Sequence, residues 1–184
     1  NTVVDSSDPV AGIDGAVVDS NGNVEVSTEN ETNIMAIAVG AAGSNGISAS
    51  GSVNTVVLAS DTDAYIKNSI VDSSEGDVKV TSSGITEITG GTGSASISLF
   101  NGAFGASIIT GVIDNEVNAI IENSKVKAGN DVIVSTVANE TIGRSDAPFI
   151  TVAGGFSKDV AVEGVISTLV MSSTADAHIK GTKT

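Results

Sequence analysis

The sequence predicts an all-β chain wound as a parallel β-helix, a β-solenoid whose unit recurs about every 54 residues. Three observations predict it. The block Gly/Asn–Asn/Asp–Val–x–Val occurs at Gly22-Asn23-Val24-Glu25-Val26, Gly76-Asp77-Val78-Lys79-Val80 and Asn130-Asp131-Val132-Ile133-Val134, so its first valine falls at 24, 78 and 132. A second block, Ala-x-Ile-x-Asn/Gly, precedes it at Ala11, Ala64, Ala119 and Ala177, with isoleucines 53, 55 and 58 residues apart. The composition then excludes an ordinary globular core: aromatics are 3%, tryptophan is absent, and there are 21 glycines against two prolines. Such a chain stacks Val, Ile, Ala and Ser in columns, and no unit buries enough alone to offset the entropy of ordering it.

Each element follows in order along the unit. Polar turns come first, at Asp19-Ser20-Asn21-Gly22, Ser73-Ser74-Glu75-Gly76 and Ala128-Gly129-Asn130-Asp131. The Val-x-Val strands follow, with period-two alternation that turns both valines inward. A strand of small residues comes next, Met35 to Val39 or Thr151 to Ala153, then β-branched runs at 53–58, 107–113 and 165–171. No stretch keeps a 3.6-residue apolar period with caps. Two coils of about 27 residues or three of about 18 fit the period, and three is the expectation. Seven to ten coils would make a rod of roughly 35–50 Å. The units run approximately 11–63, 64–118 and 119–176, with the start of a fourth at 177–184, one continuous solenoid that reads as part of something longer.

Charge and cysteine content narrow the partners. The net charge is −14, with Arg144 the only arginine, so nucleic acid and anionic membrane surfaces are repelled. Without cysteine there is no disulfide or thiolate chemistry. The longest apolar candidate, 34–42, is too short to span a bilayer as a helix.

Chemistry-bearing constellations are sparse. Asp61-Thr62-Asp63 and Asp114-Asn115-Glu116 suggest calcium only weakly, because six to eight converging oxygens are needed, and Asx-rich turns explain them. His178 fills the slot of Tyr65 and Ile120 and faces outward by alternation, and one imidazole is not a metal site. Asn30-Glu31-Thr32 and Asn139-Glu140-Thr141 match the glycosylation acceptor at nearly equivalent places, where a repeated turn also accounts for them. Phe100, Phe104, Phe149, Phe156 and Tyr65 sit in apolar settings that predict core rather than sugar platforms. No metal, cofactor or catalytic set is expected, and no enzyme. From Thr32 to Gly40 is 8 positions, while from Thr141 to Gly154 is 13, so the third unit carries five extra residues. They include Gly143 to Pro148, and a loop leaving a regular stack is a candidate contact site, with Arg144, Ser145 and Asp146 as its binding residues.

The G-[ND]-V-x-V strand after a small polar turn, the A-x-I-x-[NG] strand before it and the Gly/Ala/Ser-rich middle resemble the filamentous-haemagglutinin-like exoproteins of Gram-negative bacteria. Within them, the resemblance is nearest to the leukotoxin-type filamentous adhesins of anaerobes. It covers nearly the whole chain. It implies a right-handed parallel β-helix at the cell surface, secretion of the parent protein through an outer-membrane transporter (two-partner secretion), adhesion to a host cell-surface or matrix receptor, and toxicity to white cells in the leukotoxin branch. The expected function is therefore a structural or adhesive segment of a large secreted surface adhesin or toxin, with no nucleic acid partner. A leukocyte-directed toxin fragment is the alternative. A polysaccharide-processing enzyme is disfavoured, since Arg144 alone cannot make the basic cluster a lyase needs and no aromatic platform faces paired carboxylates.

Overall fold

In the computed structural model, which describes residues 1–146 and 148–181, the chain is built of strands and the turns between them. They run as β1 (Thr2–Ser7), β2 (Val10–Asp14), β3 (Val17–Ser20), β4 (Val24–Ser44), β5 (Ile47–Lys67), β6 (Ile70–Ser73), β7 (Val78–Ser98), β8 (Gly102–Glu122), β9 (Lys125–Ala128), β10 (Val132–Ile142), β11 (Phe149–Ser157) and β12 (Val160–Lys180). All pairings are parallel. One sheet stacks β1 and β2 on β5, then β8, then β12; a second stacks β4 on β7 and β7 on β10 and β11; a short third sheet stacks β3, β6 and β9. The parallel β-helix is thus present.

Its coil is much wider than the sequence suggests. Successive rows are offset by 54 residues where Val24 pairs with Val78 and Val78 with Val132, so one repeat makes one coil, not three. The second coil has two 21-residue strands and one four-residue strand, and the third has the same plan with its second long strand split into 11 and nine residues. Polar and glycine-rich stretches where three coils per repeat would need turns, such as 27–33 and 40–44, stay extended because each lies in register on a like stretch of the next row. At about 3.3 Å per residue a long strand covers roughly 70 Å, while four rows at about 4.8 Å stack to under 20 Å. The molecule is a broad two-layer slab rather than a rod.

Three corners turn each coil. The one after the Ala-x-Ile strand is left-handed in every row: φ is 61° at Gly15, 51° at Asn68, 50° at Asn123 and 58° at Gly181. The motif ends in Asn or Gly because these residues tolerate that conformation. Backbone bonds from Gly15 to Lys67, Asn68 to Glu122 and Asn123 to Lys180 then tie each corner to the next row. The corner before Val-x-Val is held by its Asx side chains: Asn23 accepts the Asp77 N–H at 2.9 Å, and Asp77 accepts the Asp131 N–H at 3.3 Å.

The interior is segmented along the strands. Beside the short sheet, Val24, Val26, Ile66, Val71, Val78, Val80, Ile121 and Val126 form one apolar cluster, as the inward valines predict. A second cluster, Ile34, Val56, Leu58, Ile88 and Ile113, lies further along. Between them sits a polar girdle, where Thr28 donates to Ser82 at 3.1 Å and Ser82 to the Thr62 carbonyl at 2.7 Å. Beyond the second cluster the core is mostly hydroxyl: Ser50 bonds Ser96 and Ser52 bonds Ser107, each at 2.8 Å, and Ser107 donates to Thr92 at 2.9 Å.

Candidate functional site

Along the distal half of each long strand the usual alternation reverses. Inward positions become mostly Ser, Thr, Gly and Ala, with Asn54 and the Glu163 carboxylate buried among them, and many outward ones become large and apolar. Residues 34–60 and 88–113 contain no charged side chain, and 148–175 contain only Lys158, Asp159 and Glu163. The acids gather in the proximal half, where Glu25, Glu29 and Glu31 line the outer face of β4.

On the outer face of the second sheet this pattern builds an apolar trough. The register aligns Ile37, Gly91 and Ile150 in one column and Val39, Gly93 and Val152 in the next. The middle strand supplies glycine where its neighbours supply branched side chains, so a floor along β7 lies between two walls about 10 Å apart, two strand spacings. Met35 and Pro148 close the end at Thr89, giving an open volume of about 420 Å³. The walls are open to solvent: Met35 is 73%, Val39 78% and Val152 56% exposed. Two of the glycines serve the backbone as well. A Cβ on Gly90, at φ 132°, would stand 1.9 Å from the Ala36 carbonyl, and one on Gly91 2.5 Å from that of Ile150. Gly93 has room, with only the Val152 carbonyl 3.9 Å away.

The extra residues of the third unit stand at the same end. Ile142 pairs with Ile88 and Phe149 with Gly90, so seven steps face two and five residues are surplus, as the spacing predicts. They leave as the segment 143–148 between β10 and β11, of which Ala147 lies outside the described residues. Arg144 reaches both carboxylate oxygens of Glu87 at 3.0 and 3.1 Å, and it also pairs with Asp146 at 3.2 and 3.3 Å. Glu87 first, and then Asp146, hold the guanidinium more firmly protonated than usual. The sole arginine thus fastens the loop to the rim of the trough, with Ser145 and Asp146 exposed beside it.

Other candidates resolve differently. Asp61 faces Glu116 in register, near Asp8 and Asp63. Desolvation and then these neighbouring acids push its carboxyl above the ordinary 3.8. Asn118 eases the stack by donating to Asp63 at 2.9 Å and Glu116 at 3.0 Å. Among the described residues no three metal-binding side chains converge. His178 is paired with Asp176 at 3.0 Å. The two glycosylation-like triplets are neither turns nor equivalent. Asn30 shares a column with Ala138 and bonds Ser60 at 2.6 Å inside the coil, while Asn139 shares one with Glu31 and faces solvent. The phenylalanines also depart from expectation. Phe149 packs against the second cluster, but Phe100, Phe104 and Phe156 are 55%, 42% and 68% exposed. Their inward neighbours in that half are small, so the rings fall on the outer face of an inverted alternation.

The trough is absent from the residues singled out by sequence. Its signal lay in columns: stacking the units at their true register sets glycines between Ile37 and Ile150. No protein-family model, curated protein or solved structure matches this chain.

Proposed function

We propose that the chain is a structural and adhesive segment of a large secreted bacterial surface protein, and that it contacts a host cell-surface or matrix receptor through the trough on the second sheet. The observation that carries this reading is the solvent-open apolar strip with a glycine floor on a protein of net charge −14. Contiguous exposed apolar surface on a soluble chain marks an interaction site. The strip runs on into the acidic outer face carrying Glu25, Glu29 and Glu31, so the matching partner is an extended segment with an apolar run flanked by basic residues. Contact, rather than turnover, is the role assigned. Secretion of the parent through an outer-membrane transporter belongs to the same reading and rests on the resemblance of the repeat motifs.

Filling the trough tests it. Gly93→Ile raises the floor at a position with room for a side chain, whereas replacing 143–148 by a short Gly-Ser turn removes the Arg144 anchor. Labelled wild-type chain is expected to bind epithelial cells or leukocytes saturably, and Gly93→Ile to abolish that binding while the circular dichroism spectrum is kept. Absence of saturable binding by the folded chain would reduce it to a stalk. A leukocyte-directed toxin is the second reading, favoured by the charge-poor distal half.

A further inference from the structure

We propose that the distal end of the slab seats on a zwitterionic lipid surface, with Leu99 and Phe100 at the leading corner. The inference goes beyond receptor contact at the trough and does not depend on it. Three of the four phenylalanines of the chain gather at this end. Phe100 and Leu99 turn the corner between β7 and β8, Phe156 pairs with Ile97 on the second sheet, and Phe104 pairs with Val162 on the first. Ile97, Leu99 and Val162 are 53%, 54% and 53% exposed. The apolar surface therefore continues over both outer faces and around the edge that joins them. One flat partner, or a second copy laid on one face, would cover a single side; a lipid phase meets all three at once.

Charge and interior agree. The strand segments behind the corner carry Lys158, Asp159 and Glu163 as their only charges, and Lys158 lies 5.9 Å from the Phe100 ring centre, where its ammonium can remain at headgroup level. The apolar-out, polar-in alternation over this half is the one that strands adopt against lipid. Full insertion is excluded on physical grounds. The outermost strands, β4 and β12, present backbone edges that hydrocarbon cannot satisfy, so the seat is interfacial. A charge of −14 selects neutral over anionic headgroups.

Vesicle flotation with the whole chain tests this. Wild-type chain is expected to float with phosphatidylcholine vesicles and less with vesicles containing phosphatidylserine, the difference shrinking as salt is added. Changing Phe100, Phe104 and Phe156 together to Ser is expected to lower partitioning by about a thousandfold, since each buried ring is worth about tenfold. Glu75→Gln, exposed in the turn between β6 and β7 and part of neither surface, leaves phosphatidylcholine binding unchanged. A Phe100→Trp reporter is expected to shift its emission to the blue and to be quenched by lipids brominated on the acyl chains. No flotation of the folded chain with phosphatidylcholine overturns the proposal, as does binding indifferent to the phenylalanine changes. A concentration-dependent dimer abolished by the same changes, without vesicle binding, would assign the surface to a second copy and overturn it too. Because Gly93→Ile lies outside the corner, loss of cell binding with vesicle binding intact would separate the two surfaces.

Discussion

Asn68 and Asn123 turn the same corner in successive coils, with φ of 51° and 50°. Neither angle suits a side chain branched at Cβ. Asn68→Val is expected to lower stability by about 1–2 kcal/mol, which thermal denaturation would show as a fall of roughly 2–8 °C for a chain of this length. Asn68→Gly keeps the conformation and loses only the bond to Asp14 at 3.0 Å, so its melting temperature should stay near wild type.

Asp77 sits in the Asx ladder of another corner, accepting the Asp131 N–H and pairing with Lys79 at 3.3 Å. Asp77→Ala removes that acceptor and should cost about 0.5–1.5 kcal/mol in a denaturant titration. Asp77→Asn retains the acceptor and should recover most of the loss. Equal losses in the two variants would show that the ladder contributes little.

Asn54 is fully buried in register with Ile109, and both of its amide atoms lack a partner among the described residues. An unpaired buried amide costs about 1–3 kcal/mol. Asn54→Leu, similar in size, is therefore expected to stabilise the chain, raising the melting temperature by several degrees. A fall would mean that the amide is solvated inside the coil.

Asp61 gives the chain a pH dependence of definite sign. Its carboxyl is raised above 3.8 in the folded state, so folding holds that proton more tightly. The associated stability is present below 3.8 and is lost as pH climbs through the raised value. Asp61→Asn should accordingly melt higher than wild type at neutral pH, and the gap should close in acid. A gap of constant size across that range would assign the effect to something other than titration.

The repeat, the all-β class, the inward valines and the five-residue insertion were legible because each depends on spacing or alternation within one strand. Coil width was not. A glycine or serine run signals a turn only if nothing pairs with it, and 40–44 pairs row upon row with 94–98. The inverted distal half was hidden for a related reason. Phe100, Phe104 and Phe156 read as core by residue type, and only the partner row shows that serines hold the interior. Arg144 stands in the segment between β10 and β11 that the spacing marks, but its bond to Glu87 joins residues 57 apart, a separation that no local pattern encodes.

One coil for each 54-residue repeat also fixes how the molecule would carry a load. Tension along the stacking axis between the second and third rows falls at once on a 21-residue ladder, a four-residue one and a long ladder split into 11 and nine residues, so a clean break there must part all of them together. Tension applied at a corner instead opens the same ladders one bond after another, as a zip opens. Such a slab resists being torn and yields to being peeled, and the point at which it is gripped decides which occurs.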